Sequence, residues 1–137
     1  MDASDIDLTG QVAFVTGGGG GIGRACALCF ADMGADVAIV DVIPERCAET
    51  AAEIEKRGRK ALTFAINVMD VEALQKAVAE TGEKFGRLDI LVNNAGGVTR
   101  RNFVDLQEKN WRRHIDLNLV SNLAATQTAI PLMIAGG

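Results

Sequence analysis

Thr16-Gly17-Gly18-Gly19-Gly20-Gly21-Ile22-Gly23 follows the short apolar run Val12-Ala13-Phe14-Val15 and opens onto Arg24-Ala25-Cys26-Ala27-Leu28-Cys29-Phe30-Ala31. The order reads as strand, glycine loop, helix. That is the geometry that holds a pyrophosphate: residues without side chains let the main chain approach the phosphates, and a helix start offers unpaired N–H groups with partial positive charge. Two templates fit. Gly18, Gly20 and Gly23 satisfy G-x-G-x-x-G, whereas Gly17, Gly21 and Gly23 satisfy T-G-x-x-x-G-x-G. A flexible linker is the alternative for a glycine run, but a linker does not sit between a buried strand and an amphipathic helix.

Outward from this loop, strand and helix alternate. Asp36 to Asp41 is a continuous apolar run ending in a carboxylate, the pattern of a parallel strand covered on both faces. Gly34 stops the first helix before it, at about Met33. Pro44 suits the first turn of the next helix, Glu45 and Glu49 its positive end, and Gly58 its stop. Ala61 to Ile66 is the third strand. Asp70 is placed to cap a helix bearing Val71, Leu74, Val78 and Phe85 near one face, closed by Gly86. Leu88 to Val92 is the fourth strand, and Asn93-Asn94-Ala95-Gly96-Gly97 leaves it as a tight turn. Four repeats at roughly 25-residue spacing demand crossovers and a parallel sheet with helices on both faces. In the doubly wound strand order 3-2-1-4, the loops leaving strands 1 and 4 face each other across the crevice where nucleotides bind.

The C-terminal region is expected to be helical. Asp105 can cap a short helix, and a long one follows from about Trp111 to Met133. Its apolar residues (Trp111, Ile115, Leu119, Leu123, Ile130 among them) cover more than one face, so the sheet must bury one side and a partner subunit is the natural cover for the other.

Composition narrows the class. At 137 residues the chain is one domain, residues 1–137, and its 48% hydrophobic content is that of a folded protein. The net charge of −4, with no basic stripe, argues against nucleic acid as a partner. Polar residues and Pro131 break the apolar stretch Leu117 to Ile134, which therefore reads as a buried soluble helix and not a membrane span. Met1 to Asp5 lack the basic start of a signal peptide, and three cysteines (Cys26, Cys29, Cys47) form no framework; both suit the cytoplasm. Cys26 and Cys29 make a C-x-x-C inside a helix, where core packing is the expected role. No metal-ligand cluster emerges.

Candidate site residues follow from the crevice. Gly17, Gly20, Gly21, Ile22 and Gly23 are expected at the pyrophosphate. Asp41 follows Gly23 by 18 positions, close to the spacing at which an acid reaches the adenosine ribose, and Val42 follows it with no adjacent arginine. A carboxylate there accepts from the ribose hydroxyls and repels a 2′-phosphate, so NAD is expected in preference to NADP. Asn67 and Val68 leave strand 3 where they can contact adenine, although a turn asparagine bonding its own backbone gives the same sequence. Asn94, Ala95 and Gly96 are expected to touch the cofactor from the other side. His114, beside Arg112 and Arg113, reads as part of a solvated helical face.

In Thr16-Gly17-x-x-x-Gly21-Ile22-Gly23, Asp41, Asn93-Asn94-Ala95-Gly96 and Asn118 within Trp111-x-x-x-Ile115-x-x-Asn118-Leu119, the chain resembles the short-chain dehydrogenase/reductase family. The resemblance covers essentially the whole chain. It implies a Rossmann-like α/β fold, a three-layer doubly wound sheet cut off after the fourth βα unit. It also implies NAD(H)-dependent hydride transfer between a secondary alcohol and a ketone, and a homodimer or homotetramer packed through the long helix. Asn67 stands where the family often has aspartate. The family's catalysis resembles acid–base work by a tyrosine beside a lysine, with a serine and an asparagine that anchors a relay water. Only the asparagine has a counterpart, Asn118, and the sequence contains no tyrosine. The serine strand and the Tyr-x-x-x-Lys helix would follow residue 137, so the chain by itself is expected to be inactive. The alternatives left open are a nucleotide-binding or assembly module without catalysis, and half of a two-chain enzyme. Arg100 and Arg101 are candidates for an acidic substrate, with a solvated loop the plainer reading.

Overall fold

The computed structural model describes residues 6–137; Met1 to Asp5, read above for the lack of a signal peptide, lie outside the described residues. Val12–Thr16 (β1) is buried at every position and Asp36–Asp41 (β2) at its four central ones, as strands covered on both faces must be. Ala61–Ala65 (β3) and Ile90–Val92 (β4) complete a parallel sheet of order β3-β2-β1-β4. Val15 is in register with Ile39 on one side and Val92 on the other. The doubly wound α/β fold is thus observed.

Strand alternation sorts the core into two layers. Phe14, Ala38 and Val40 meet Leu74 and Val78 of α3 (Val71–Phe85) and Ala125 and Ala129 of the C-terminal helix. Ala13, Val15, Val37 and Ile39 meet Ala27 and Ala31 of α1 (Gly21–Asp32) and Ile54 of α2 (Pro44–Lys56). Local signals end these helices as expected. Gly34 takes φ +101 after α1, and the Asp70 carboxylate accepts from the Ala73 amide at 3.0 Å to start α3.

The structure corrects several expectations. The stripe of α1 that meets the sheet is Gly23, Ala27 and Ala31, at four-residue spacing, so Cys29 turns outward and is exposed, Cys26 is half-buried, and only Cys47 is a core thiol. Val71 stands 38% exposed, apart from the buried Leu74 and Val78. β3 stops at Ala65, one residue short of Ile66. β4 starts at Ile90 and not at Leu88, because the first rung is made by a side chain. The Asp89 carboxylate accepts from the Val12 amide at 2.8 Å, while the Asp89 amide donates to the Val12 carbonyl at 2.9 Å.

The same carboxylate receives the Arg87 guanidinium at 2.8 Å. Arg87 holds the Asp89 carboxyl below the usual carboxylate range, with the Val12 amide adding to the effect and partial desolvation opposing it. A depressed folded-state value stabilises the fold above the unfolded carboxyl value of about 4 and loses that contribution as pH falls through the folded one. Asp89→Asn is therefore expected to lower the urea midpoint at pH 7 and to flatten its decline toward pH 3. Parallel curves for variant and parent would contradict the rung.

The C-terminal segment differs most from expectation. Asp105 ends a 3-10 turn, Phe103–Asp105, and caps nothing. The long helix begins at Glu108, where Gln107 and Asn110 form a capping box. It runs as α4 (Glu108–Ile115), a π segment (Asp116–Val120) and α5 (Ser121–Gly136). The π segment frees carbonyls, which side chains collect: Ser121 Oγ donates to Leu117 at 2.7 Å and Asn122 Nδ2 to Asn118 at 3.0 Å. By length and composition alone the helical run Glu108–Gly136, which contains an 18-residue window of mean hydropathy 1.2, is long and apolar enough to cross a membrane. Here Ala124, Ala125 and Ala129 pack on the sheet, while Trp111, Ile115, Leu119, Leu123 and Ile130 are 42–60% exposed. Within the chain the sheet buries one side of the helix, as expected, and the other side is open.

Candidate functional site

Because β1 and β4 are neighbours, the loops leaving their carboxyl ends meet, and one hydroxyl joins them. Thr16 Oγ1, on a residue only 3% exposed, accepts from the amides of Asn94 and Ala95 at 3.0 Å each and donates to the Val92 carbonyl at 3.3 Å. Asn94 returns the contact, its Nδ2 donating to the Thr16 carbonyl at 3.0 Å and lying 3.5 Å from that of Gly17. The Gly18 amide donates to the Val40 carbonyl at 2.9 Å, which ties the glycine loop to β2 as well. The side chain of Asn94 is therefore a clamp between the loops, with both partners on the main chain.

Over this clamp lies a cleft of about 460 Å³ whose floor is Gly17, Gly19, Gly20 and Gly21 and whose far wall is Asn94 to Gly96. Gly20 is the N-cap of α1 without a side-chain cap, and the first turn carries no acid, so the amides at this helix start have no side-chain acceptor of their own. Nothing stands within 4 Å of where a Gly21 Cβ would be. Gly23 is the opposite case: a Cβ there would sit 2.5 Å from Asn94 Nδ2 and 2.7 Å from the Gly17 carbonyl carbon. Gly23 thus serves close packing beneath the loop. Arg24 lines the cleft, and its Nε is buried without a hydrogen-bond partner. An orphaned cationic donor, uncapped amides and a floor without side chains together suit an anion.

A second cleft of about 300 Å³ continues from the first past Asp41 and is bounded by Val42, Asn67, Val68 and Leu117. Asp41 lines both, one carboxylate oxygen accepting from the Ile43 amide at 3.0 Å. Beneath it, burial first and the Asp41 charge second push the Cys47 thiol up, which keeps it protonated and inert. Asn67 does what a turn asparagine does: its Oδ1 accepts from the Met69 amide at 3.0 Å, leaving the amide nitrogen for the cleft.

The remaining sequence candidates fall elsewhere. Ile22 is 77% exposed and lines neither cleft. Asn118 also lines neither. Its Oδ1 accepts from the Gly97 amide at 3.0 Å, and its Nδ2 donates to the carbonyls of Gly97 and His114 at 2.9 Å each. His114 is no solvated bystander, since its Nε2 accepts from the Thr99 amide at 2.9 Å. Asn118 and His114 together fasten the loop after β4 to the π segment. Among the described residues no group of His, Cys, Asp and Glu could hold a metal.

Sequence reading missed Arg24, Arg46 and Arg113. Arg24 adjoins Gly23, so the helix's first turn signalled it. Arg46 and Arg113 reach the clefts only through the packing of α2 and the long helix, and no local pattern announces that.

The short chain dehydrogenase family model matches residues 11–137. The oxidoreductase UcpA of Salmonella typhimurium is 39% identical over 127 residues, 93% of this chain and 48% of that protein. Carveol dehydrogenase from Mycobacterium avium, solved in complex with NAD, is 34% identical with a TM-score of 0.89, over 94% of this chain and 51% of that one. A short chain dehydrogenase from Burkholderia cenocepacia, solved in complex with NADP, is 38% identical with a TM-score of 0.89, over 92% of this chain and 52% of that one. The chain spans about half the length of the relatives it matches.

Proposed function

The chain belongs to the short-chain dehydrogenase family, and we propose that it is the cofactor-binding part of an NAD(H)-dependent oxidoreductase interconverting a secondary alcohol and a ketone. The observation that carries the proposal is the cleft between the ends of β1 and β4, floored by glycines and holding the unpartnered Arg24 Nε. Main-chain amides of the glycine loop at Gly19 to Gly21 and the Arg24 guanidinium hold the diphosphate. Asp41 takes the adenosine ribose hydroxyls, and Val42, Asn67 and Val68 border the adenine. Ala95 and Gly96 form the wall that keeps the nicotinamide end in line, with Asn94 fixing that wall to the loop opposite.

When bound, the nicotinamide accepts or gives the hydride. Asn118 acts as a positioning residue: its side chain is committed to Gly97 and His114, so it holds the loop beside the reacting end. The acid–base group that moves the alcohol proton is assigned to the rest of a longer protein, since this chain contains no tyrosine. A second copy is proposed to cover the open face of the long helix at Trp111, Ile115, Leu119 and Leu123, and the cytoplasm is the proposed setting. A second reading is a nucleotide-binding module without catalysis, for which the glycine-floored cleft suffices. Turnover of a panel of secondary alcohols by the full-length protein separates the two.

The test of the ribose assignment is Asp41→Ala in the full-length protein. Hydrogen bonds to a charged group contribute about 1.5–3 kcal/mol, so the NAD+ dissociation constant is expected to rise about tenfold or more. Displacement of bound NADH by NAD+, followed by the NADH fluorescence, measures it, and an unchanged constant would move the ribose elsewhere.

A further inference from the structure

The loop after β4 leaves the cleft wall at Gly96 and reaches the long helix at Gln107 without a core of its own. None of its side chains over residues 98–106 is buried, and Val98, Phe103 and Val104 stand 73%, 80% and 89% exposed. Its main-chain hydrogen bonds close on the loop itself: the Arg101 amide donates to the Thr99 carbonyl, that of Asp105 to Asn102 and that of Leu106 to Phe103. Among the described residues, the hydrogen bonds that leave residues 98–106 go to one side chain, the imidazole of His114.

That anchor depends on the state of the ring. His114 Nε2 accepts from the Thr99 amide at 2.9 Å, and Thr99 Oγ1 lies 3.0 Å from the same nitrogen. A ring nitrogen that accepts carries no proton, so the contact belongs to the neutral imidazole with its proton on Nδ1. In the imidazolium both nitrogens are donors. The Thr99 hydroxyl can rotate to accept from Nε2, but the amide cannot, and two N–H groups would then point at each other. Charged residues adjoin the ring from three elements: Arg100, Arg101 and Asp105 on the loop, Glu108, Lys109, Arg112 and Arg113 on α4, and Asp116 on the π segment. Glu108 is engaged by Arg112 at 2.5 Å, and among the described residues no carboxylate lies within 4 Å of the ring nitrogens. No ion pair therefore offsets the lost amide bond.

We propose that neutral His114 is the positioning residue for the loop after β4, and that its protonation releases residues 98–106 from the mouth of the cleft. Gly96 lines the cleft, and the Gly97 amide is held separately by Asn118 Oδ1 at 3.0 Å, so the release begins at Val98 and leaves the wall standing. The loop continues that wall beyond the nicotinamide end. Its release therefore weakens the hold on the alcohol or ketone and spares the dinucleotide. This consequence for turnover rests on the dinucleotide reading above, whereas the latch itself does not.

The experiment is hydrogen exchange of the full-length protein, read by mass spectrometry on peptides covering residues 98–106 and corrected for the intrinsic pH dependence of exchange. It runs from about pH 8 to about pH 5, the interval over which histidine ordinarily changes charge. Peptides from β1 and α3 are the reference. Wild-type protection is expected to fall about three- to tenfold over that interval, the range of one hydrogen bond, with the reference peptides unchanged. His114→Gln keeps an uncharged acceptor near the place of Nε2, and its protection is expected to stay level. His114→Phe keeps a ring without an acceptor and is expected to show the low protection at both ends. Level protection in wild type overturns the latch, as does a glutamine variant that loses protection as wild type does, or a phenylalanine variant that keeps it at pH 8. In turnover of the secondary-alcohol panel, the wild-type KM is expected to rise relative to that of His114→Gln as pH falls, with NADH affinity changed less than about twofold. Parallel KM profiles would overturn the link to the substrate end while the exchange result stands. Protein that binds no NADH removes the dinucleotide reading and leaves the exchange series to decide the latch.

Discussion

Gly23→Ala is expected to abolish dinucleotide binding and to destabilise the full-length protein by about 2 kcal/mol or more. The sign is not obvious, because Gly23 lies inside α1 with an ordinary helical backbone, and alanine is the better helix former by about 1 kcal/mol. Packing decides it. The added methyl would stand 2.7 Å from the Gly17 carbonyl carbon and closer still to its oxygen, so main chain would have to yield on one side and the Asn94 amide on the other. Overpacking a rigid site costs about 1–3 kcal/mol, occasionally more, and here the forced shift moves the loop that floors the cleft. Gly20→Ala is the control. Its methyl meets nothing closer than 3.8 Å, so the fold is expected to keep its stability while the cleft narrows. Thermal midpoints and NADH titrations of the two variants check this, and a Gly23→Ala protein that binds normally would refute the packing.

Thr16→Val is expected to cost about 2–3 kcal/mol although the two side chains have nearly the same shape. The hydroxyl is buried and takes part in three hydrogen bonds, with the amides of Asn94 and Ala95 and with the Val92 carbonyl. The Asn94 amide has a second acceptor in Val92, at 3.1 Å, so the valine chiefly strands the Ala95 amide. A buried donor left without a partner costs about 1–3 kcal/mol, and the loss of the shared hydroxyl adds to it. Dinucleotide affinity should fall in parallel, since the clamp sets the width of the cleft. Thr16→Ser keeps the hydroxyl and is expected to restore most of both. Urea midpoints and NADH titration measure the series, and a valine variant as stable as the parent would show that the hydroxyl does not join the loops.

The limits of the sequence are visible at particular residues. β1 and β2 were legible end to end because a strand buried on both faces is a short unbroken apolar run between turn residues. Asp70 and Gly34 were legible because capping is a contact between near neighbours. Cys29 was misread because a C-x-x-C pattern names two positions on α1 without saying which stripe meets the sheet. The start of β4 was misplaced because Asp89 builds its first rung with a carboxylate, and the partner, Val12, is far away in the chain. Asn118 was singled out only by the family resemblance, and that its amide is engaged by Gly97 and His114 is a contact no sequence pattern announces.

What the sequence alone determined is the order of strands and the place of the cleft. Hydrophobic period, glycine placement and crossover handedness are local constraints that leave few ways to wind four βα units, and glycine-bearing turns after strands 1 and 4 favour the order 3-2-1-4 among them. Only the tertiary structure decided which charges face that cleft, how the loop after β4 is tied down and which side of the long helix stays open. Those are properties of α2, the π segment and α5 packed against distant partners, and an interaction between residues far apart in sequence leaves no period to read.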